Sequence, residues 1–366
     1  MDFLVIGGTG YFGRSTVEQL LAAGHNVAIF SRGNVRPPFW EDIEHIAGDR
    51  DDPQVLRQQL AGRQFDGVLD NQCYDRQEAQ AVVDALQGQV GRFVVASTVS
   101  VYGEGGHAKG RHTVRQPLAD EERFAIDYRS LEPVHETDLD SRSQSWEMRP
   151  HLSEYGEGKR QVERVMLEAE DWPWIVVRVP ATLGPHDPSG RFAWWLTRIL
   201  DGEPILLPDG GTLAVQLGYS HDLAQFLVRL LEDGPVRNIY NYAQHELPQL
   251  ANWLQVIADA AGKPLNTVSV PSSILHLATQ LPWEEWSYAP FSYCPLLMSV
   301  AKAEAEMGLG FRTSLREWVQ TTVDSYLVDP ESLSSAKHAD QRPAEVEFAK
   351  RWTTICNQLI PSLSAS

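Results

Sequence analysis

Met1 to Gly13 constrains this chain more than any other stretch. Asp2-Phe3-Leu4-Val5-Ile6 is a short apolar, partly β-branched run that reads as a buried strand. It passes directly into Gly7-Gly8-Thr9-Gly10-Tyr11-Phe12-Gly13, after which Ser15 to Ala23 is helical in pattern. A strand that turns through glycines into a helix aims unpaired backbone N–H groups and the positive end of the helix dipole at one point, which suits a pyrophosphate. Side chains there would keep an anion off the backbone. The glycines satisfy G-x-x-G-x-x-G from Gly7 and G-x-G-x-x-G from Gly8, both ending on Gly13. A second strand, Asn26 to Phe30, follows at about the distance that a dinucleotide-binding βαβ unit requires, a context that an ordinary tight turn lacks.

The 366 residues allow one large α/β domain with a smaller one attached, or two modest domains, and 43% hydrophobic residues can fill a substantial core. A formal net charge of −18 argues against a nucleic-acid or anionic-membrane surface, since both need a concentrated positive field. Cys73, Cys294 and Cys356 are few, widely spaced and odd in number, which describes no disulfide framework and fits a reducing, cytoplasmic setting. The N-terminal apolar run is too short for a leader peptide, and no segment has roughly twenty apolar residues, so no membrane span is expected.

The second strand ends in Ser31-Arg32-Gly33, where dinucleotide folds meet the adenosine ribose. The acid that accepts the 2′-hydroxyl of NAD is missing; Arg32 is present and Arg36 follows, which favours the 2′-phosphate of NADP, with NAD as the alternative and a solvated loop charge as the plainer account of Arg32. Asp42 to Ala47 reads as a third strand ending at Gly48-Asp49-Arg50. Asp49 fits either an adenine contact or a turn, and Asp51-Asp52-Pro53 starts a helix. Phe65 to Leu69 is a fourth strand leading to Asp70-Asn71-Gln72, and a helix spans Asp75 to Leu86. Arg92 to Ala96 is a fifth strand leading to Ser97-Thr98-Val99-Ser100-Val101-Tyr102-Gly103. This rhythm implies a doubly wound parallel sheet of the Rossmann type whose ligand cleft lies beyond the carboxyl ends of its strands. The dinucleotide-binding domain is placed at 1–185, a smaller mixed α/β substrate domain mainly at 186–330 with segments returning to the sheet, and a C-terminal extension at 331–366. The polar connection 104–150 is either functional or disordered.

A helix from Leu152 to Glu170 carries Tyr155 and Lys159 four residues apart on one face. A tyrosine is a poor base at neutral pH, but a neighbouring ammonium favours its phenolate, and the Thr98 hydroxyl is available to hold a substrate oxygen. Gly156 and Gly158 each cost the helix about 1 kcal/mol relative to alanine, which makes sense if something approaches the backbone closely there. No H-E-x-x-H or paired-cysteine spacing points to a metal; His186 and His221 read as solvated or structural.

Taken together, Gly7–Gly13, Ser97-Thr98 ahead of Val101-Tyr102-Gly103, the Tyr155/Lys159 pair and Arg178 to Pro185 resemble the extended short-chain dehydrogenases/reductases of the NAD-dependent epimerase/dehydratase family over roughly residues 1–330. The resemblance implies a homodimer formed through the helices Asp75–Leu86 and Leu152–Glu170, with Thr98, Tyr155 and Lys159 as catalytic residues. In that reading Lys159 both lowers the pKa of Tyr155 and binds the nicotinamide ribose. Gly7, Gly10, Tyr11, Phe12, Gly13, Ser31, Arg32, Arg36, Asp49, Asn71, Ser97 and Pro180 then hold the cofactor, and Ser100, Ala181, Arg191 and Trp194 meet the substrate.

The departures narrow the chemistry. Family dehydratases carry Asp-Glu where this chain has Val99-Ser100, which argues against dehydration. Nucleotide-sugar enzymes have an asparagine at Ala181 and an arginine near Val215, which argues against a nucleotide-sugar substrate. Phe192, Trp194 and Trp195 fit either core or substrate wall, and the aromatic run Trp283, Trp286, Tyr288, Phe291, Tyr293 either covers a substrate or packs on the second domain. The expected function is an NADP-linked oxidoreductase moving hydride between nicotinamide and a carbonyl or secondary alcohol of a small molecule. Epimerisation by transient oxidation and a non-catalytic RNA-binding member of the fold are the alternatives.

Overall fold

Buried β-branched and aliphatic runs dictate a sheet covered on both faces, and that is what forms. A computed structural model describes residues 1–102, 133–138, 154–275, 289–291, 297–336 and 339–364. Among them the strands are β1 (Asp2–Ile6), β2 (Asn26–Ser31), β3 (Glu44–Ala47), β4 (Gly67–Asp70), β5 (Phe93–Thr98), β6 (Trp174–Val179), β7 (Thr182–Leu183), β8 (Ile205–Pro208), β9 (Gly218–Tyr219), β10 (Asn238–Asn241) and β11 (Thr267–Val270). The helices are α1 (Tyr11–Ala22), α2 (Pro53–Leu60), α3 (Arg76–Leu86), α4 (Glu154–Glu168), α5 (Arg191–Asp201), α6 (Ser220–Asp233), α7 (Leu250–Ala260), α8 (Ser272–Leu275), α9 (Ala301–Met307), α10 (Leu315–Val328) and α11 (Arg342–Ser364).

Seven strands form one parallel sheet in the order β10-β6-β5-β4-β1-β2-β3. Successive side chains go to opposite faces: Leu4 and Ile6 pack with Val82, Leu86 and Val162 on one side, Phe3 and Val5 with Val17, Leu20 and Leu227 on the other. Strand order reverses direction between β1 and β4, where folds of this kind bind ligands. Register sharpens the point. Ile6 pairs with both Phe30 and Asp70, so Gly7 and Asn71 leave the sheet side by side, next to Ser31, the last residue of β2.

A separate apolar cluster joins α5, α7 and α10 with the paired strands β8 and β11, and α11 closes over them. The buried Glu345 carboxylate of α11 clamps Arg198 of α5 through both its oxygens. The first part of α11, with Glu345, Phe348, Ala349 and Trp352, is thus built into this second layer. Among the described residues no helix is long and apolar enough to cross a membrane.

Two boundaries differ from expectation in ways that matter for the site. Helix α1 begins at Tyr11, inside the glycine motif, because extended Gly10 (φ −143°, ψ 159°) stands at its N-cap. Strand β5 runs on to Thr98, so Ser97 and Thr98 are its last two residues and obey strand alternation. Of the 104–150 connection only 133–138 is described, and Leu152, Trp283, Trp286, Tyr288, Tyr293 and Cys294 lie outside the described residues. Phe291 packs edge-on against Trp253 at 5.5 Å, as part of the second core.

Candidate active site

The glycine turn is assembled around one side chain. Gly7 has φ +85°, and a Cβ there would overlap Asn71 Oδ1; a Cβ on Gly13 would overlap Asn71 Nδ2 and the Gly7 carbonyl. Asn71, nearly buried, therefore fills the space these two glycines vacate, and it accepts a 3.0 Å hydrogen bond from Gln72 Nε2. Gly10 is different: a Cβ there meets nothing within 4 Å. No side chain caps α1, whose first turn leaves its N–H groups without intrahelical acceptors. An open space in front of uncapped N–H groups fits the pyrophosphate of a dinucleotide.

Tyr11 holds the turn to the opposite wall. It has φ +55°, rare for a residue with a β-carbon, and its hydroxyl donates to the Thr182 carbonyl. At the end of β2, Ser31 is engaged in its own turn: Gly33 N–H donates to its Oγ (3.3 Å) and His45 Nε2 donates to its carbonyl (3.0 Å). Arg32 and Arg36 are exposed and form no ion pair among the described residues; Arg36 lies over the Trp40 ring at 5.6 Å. Asp49 accepts from Asp51 N–H (3.2 Å), the turn-forming role, and stays exposed. Arg50, which sequence reasoning passed over, reaches Asp70 (2.6 Å) and Glu78 (2.7 Å) beneath the β4 turn.

At the end of β5 the Thr98 hydroxyl accepts from Ser100 N–H (3.2 Å), and it lies near enough to the Tyr155 hydroxyl to act on its ionisation. Tyr155 is 47% exposed, yet loss of hydration at its hydroxyl raises its pKa. The Thr98 contact and the Arg191 guanidinium oppose that rise. Arg191, the first residue of α5, is exposed and also acts electrostatically on Tyr11 and Asp187. Lys159 is buried: Nζ donates to the Ala96 carbonyl (2.8 Å) and lies 4.5 Å from the Tyr74 ring centre and 5.9 Å from that of Tyr155. Burial lowers its pKa, which Cys73, Asp70 and Glu78 oppose.

Two side chains assigned to ligands are turned elsewhere. Ser97 faces α4, and its hydroxyl donates to buried Glu163 (2.6 Å), because alternation along β5 puts it on the same side as Phe93 and Val95. Trp194 lies in the second core under the Arg198 guanidinium. Ala181 and Pro180 contribute backbone: Gly218 N–H donates to the Ala181 carbonyl (3.0 Å), Thr182 Oγ1 to that of Pro180 (3.2 Å). Ser100 is half-buried beside Thr98, and Phe12 is partly buried against the core on the α1 side. The Val101-Tyr102 landmark is structural: the Tyr102 hydroxyl donates to Asn241 (2.7 Å) and accepts from Arg178 (2.8 Å), which in turn is clamped by Glu163.

This constellation, a glycine cradle with a threonine, a tyrosine and a lysine beside it on a doubly wound sheet, defines a Rossmann-type protein. The model of the NAD dependent epimerase/dehydratase family matches residues 3–243. The chain belongs to that family, the extended short-chain dehydrogenases/reductases. It is 28% identical over 286 residues to 2'-dehydrokanamycin reductase of Streptomyces kanamyceticus, covering 74% of this chain and 69% of that protein. It is 22% identical over 362 residues to chloroplast stem-loop binding protein of 41 kDa b of Arabidopsis thaliana, covering 95% and 84%. The solved UDP-glucose 4-epimerase of Thermus thermophilus in complex with NAD superposes with a TM-score of 0.63 at 21% identity, covering 90% of this chain and 100% of that one.

Proposed function

We propose that this chain is an NADP-linked reductase that converts a carbonyl on a small, sugar-like molecule to a secondary alcohol. The observation that carries this reading is the grouping of Tyr155, Thr98 and Lys159, whose Nζ lies 5.9 Å from the Tyr155 ring centre, at the edge of the sheet where the glycine cradle opens. The dinucleotide supplies the hydride when bound. Thr98 holds the carbonyl oxygen, and Tyr155 gives it a proton as the carbon is reduced. A phenol kept protonated by burial suits donation better than abstraction. Lys159, within reach of the same edge, anchors the nicotinamide ribose.

Arg32 and Arg36, exposed where the ribose 2′-position would lie, support NADP over NAD. The reductase from Streptomyces kanamyceticus supports a ketone carried on an aminosugar-like ring. Residues that replace the nucleotide-sugar contacts, Ala181 and Val215, count against a nucleotide diphosphate on the substrate: both take part in backbone pairing and packing. A homodimer through α3 and α4 follows from the family resemblance.

NADPH consumption with a panel of keto-sugars tests the reading, together with Tyr155→Phe. The expected result is turnover lost by the variant with NADPH affinity nearly unchanged; loss of both together would overturn the role given to Tyr155. A bound dinucleotide that is retained and not consumed while a sugar is inverted would favour the epimerase reading. The Neisseria meningitidis UDP-glucose 4-epimerase, 25% identical over 216 residues, lends that reading some support. Retention of stem-loop RNA without dinucleotide turnover would favour the role suggested by the Arabidopsis relative.

A further inference from the structure

Of the two aromatic rings near the Lys159 ammonium, the nearer is not on its own helix. Tyr74 follows β4 and the cradle residue Asn71 by three positions, and its ring centre lies 4.5 Å from Nζ. Tyr155 offers a more distant ring at 5.9 Å. The Tyr74 backbone is fixed from two sides: its N–H donates to Glu78 Oε2 at the start of α3, and its carbonyl oxygen lies against Gly158 of α4, too close to where a β-carbon would be for one to fit. The Tyr74 and Tyr155 rings touch at 6.3 Å. Phenol, ammonium and second ring thus form one contiguous group, and the loop that shapes the glycine turn also supplies the ring.

We propose that Tyr74 is a positioning residue whose ring face, with the Ala96 carbonyl, holds the Lys159 ammonium charged and aimed at the dinucleotide. The proposal rests on Lys159 being the ribose anchor assigned above. Charge at Nζ needs such help. The side chain is almost wholly buried, and burial disfavours the ammonium. The groups that face it are Asp70 of β4 and Glu78 of α3, which favour charge, Arg50 after β3, which opposes it, the Cys73 thiol, and the two tyrosines. An aromatic face attracts a desolvated cation through its quadrupole. The neutral amine gains nothing comparable, so the ring favours the protonated state and one place for it.

The test is NADPH affinity, read by fluorescence titration from neutral to alkaline pH, for the unmodified chain and for Tyr74→Leu, Tyr74→Phe and Lys159→Met. Tyr74→Leu is expected to bind about fivefold more weakly at neutral pH, and its loss of affinity should begin at lower pH, because the amine competes earlier once the ring is gone. Tyr74→Phe keeps the face and should match the unmodified chain in both respects. Tyr74 is 43% exposed, so the leucine variant should fold, and Tyr74→Met serves if it does not. Wild-type affinity and pH profile in Tyr74→Leu, alongside weakened binding in Lys159→Met, would overturn the proposal and leave the lysine assignment standing. A phenylalanine variant as impaired as the leucine one would also overturn it, since the hydroxyl rather than the ring would then be acting. Unaltered binding in Lys159→Met would instead remove the lysine assignment, and the role of Tyr74 with it.

Discussion

The carbonyl oxygen of Tyr74 lies so close to where a β-carbon of Gly158 would be that none could fit. This contact joins the loop after β4 to helix α4 and explains a glycine in the second turn of a helix, where it otherwise weakens the structure. Gly158→Ala should therefore stabilise nothing, despite the better helix propensity of alanine. The methyl group must push the 71–74 loop off α4, and the lost fit outweighs the roughly 1 kcal/mol gained in propensity. The expected outcome is a lower thermal midpoint together with weaker dinucleotide binding, measured by calorimetry and titration on one preparation. A rise in midpoint would mean that the loop yields freely.

Gly7 and Gly10 look alike in the motif and should respond oppositely. Gly7→Ala places a methyl on Asn71 at a positive φ that alanine resists, so it should cost about 1–3 kcal/mol of stability. Gly10→Ala has extended backbone and open space around it, so the fold should be nearly unaffected. That space is where the pyrophosphate is proposed to lie, and NADPH affinity should fall by at least about tenfold through steric exclusion alone. Denaturation midpoints and dissociation constants for the two variants separate packing from binding.

Much of this arrangement was legible in the residues, and what was not has identifiable causes. The parallel sheet announced itself because strands buried on both faces read as unbroken apolar runs, as in Phe3 to Ile6 and Ile175 to Val177. The partner of Gly158 was hidden because it is a backbone atom 84 positions away, which leaves no trace in side-chain pattern. Ser97 misled for a local reason: with β5 ended at Ala96 it reads as a loop hydroxyl, whereas two more residues of strand turn it to Glu163. Trp194 followed from assigning the rim of the cleft to the start of α5, yet only Arg191 there is exposed. A buried glutamate facing Arg178 could have been suspected from the apolar positions around Glu163 in α4, since an unpaired charge among them is costly.

Cofactor choice turns on two exposed cations. If Arg32 and Arg36 meet a 2′-phosphate, Arg32→Ser with Arg36→Ser should raise KM for NADPH about tenfold or more, while leaving KM for NADH within about twofold. The effect should shrink as salt is added, because exposed charges are screened. Equal losses with both cofactors would show that the arginines shape the loop and do not read the phosphate.

The pH dependence follows from the protonation of Tyr155. Burial holds its pKa above the ordinary tyrosine value, with Thr98 and Arg191 opposing. Reduction needs the phenol protonated, so its rate should be flat through neutrality and fall only as pH passes that raised pKa. Alcohol oxidation needs the phenolate and should rise over the same interval. Removing the Arg191 charge with Arg191→Gln takes away a group that favours the phenolate, so both limbs should move to higher pH. A shift to lower pH, or none, in the profiles of kcat/KM would sink this account of the two neighbours.

Beneath the site, Glu163 and Arg178 form a fully buried ion pair, with Ser97 donating to the same carboxylate and Tyr102 accepting from the same guanidinium. The pair spans α4 and β6, and Ser97 stands opposite Arg178 in the β5–β6 register, one residue before Thr98. Glu163→Ala should cost about 3–5 kcal/mol, because it strands a cation with no water to receive it. Replacing both partners with apolar residues, Glu163→Leu with Arg178→Met, should cost less than the single change, since no uncompensated charge is left. Chemical denaturation of the single and double variants measures the difference. If the double variant is instead the less stable, the pair is held by its hydrogen bonds to Ser97 and Tyr102 more than by charge balance, and the end of β5 that carries Thr98 depends on that network directly.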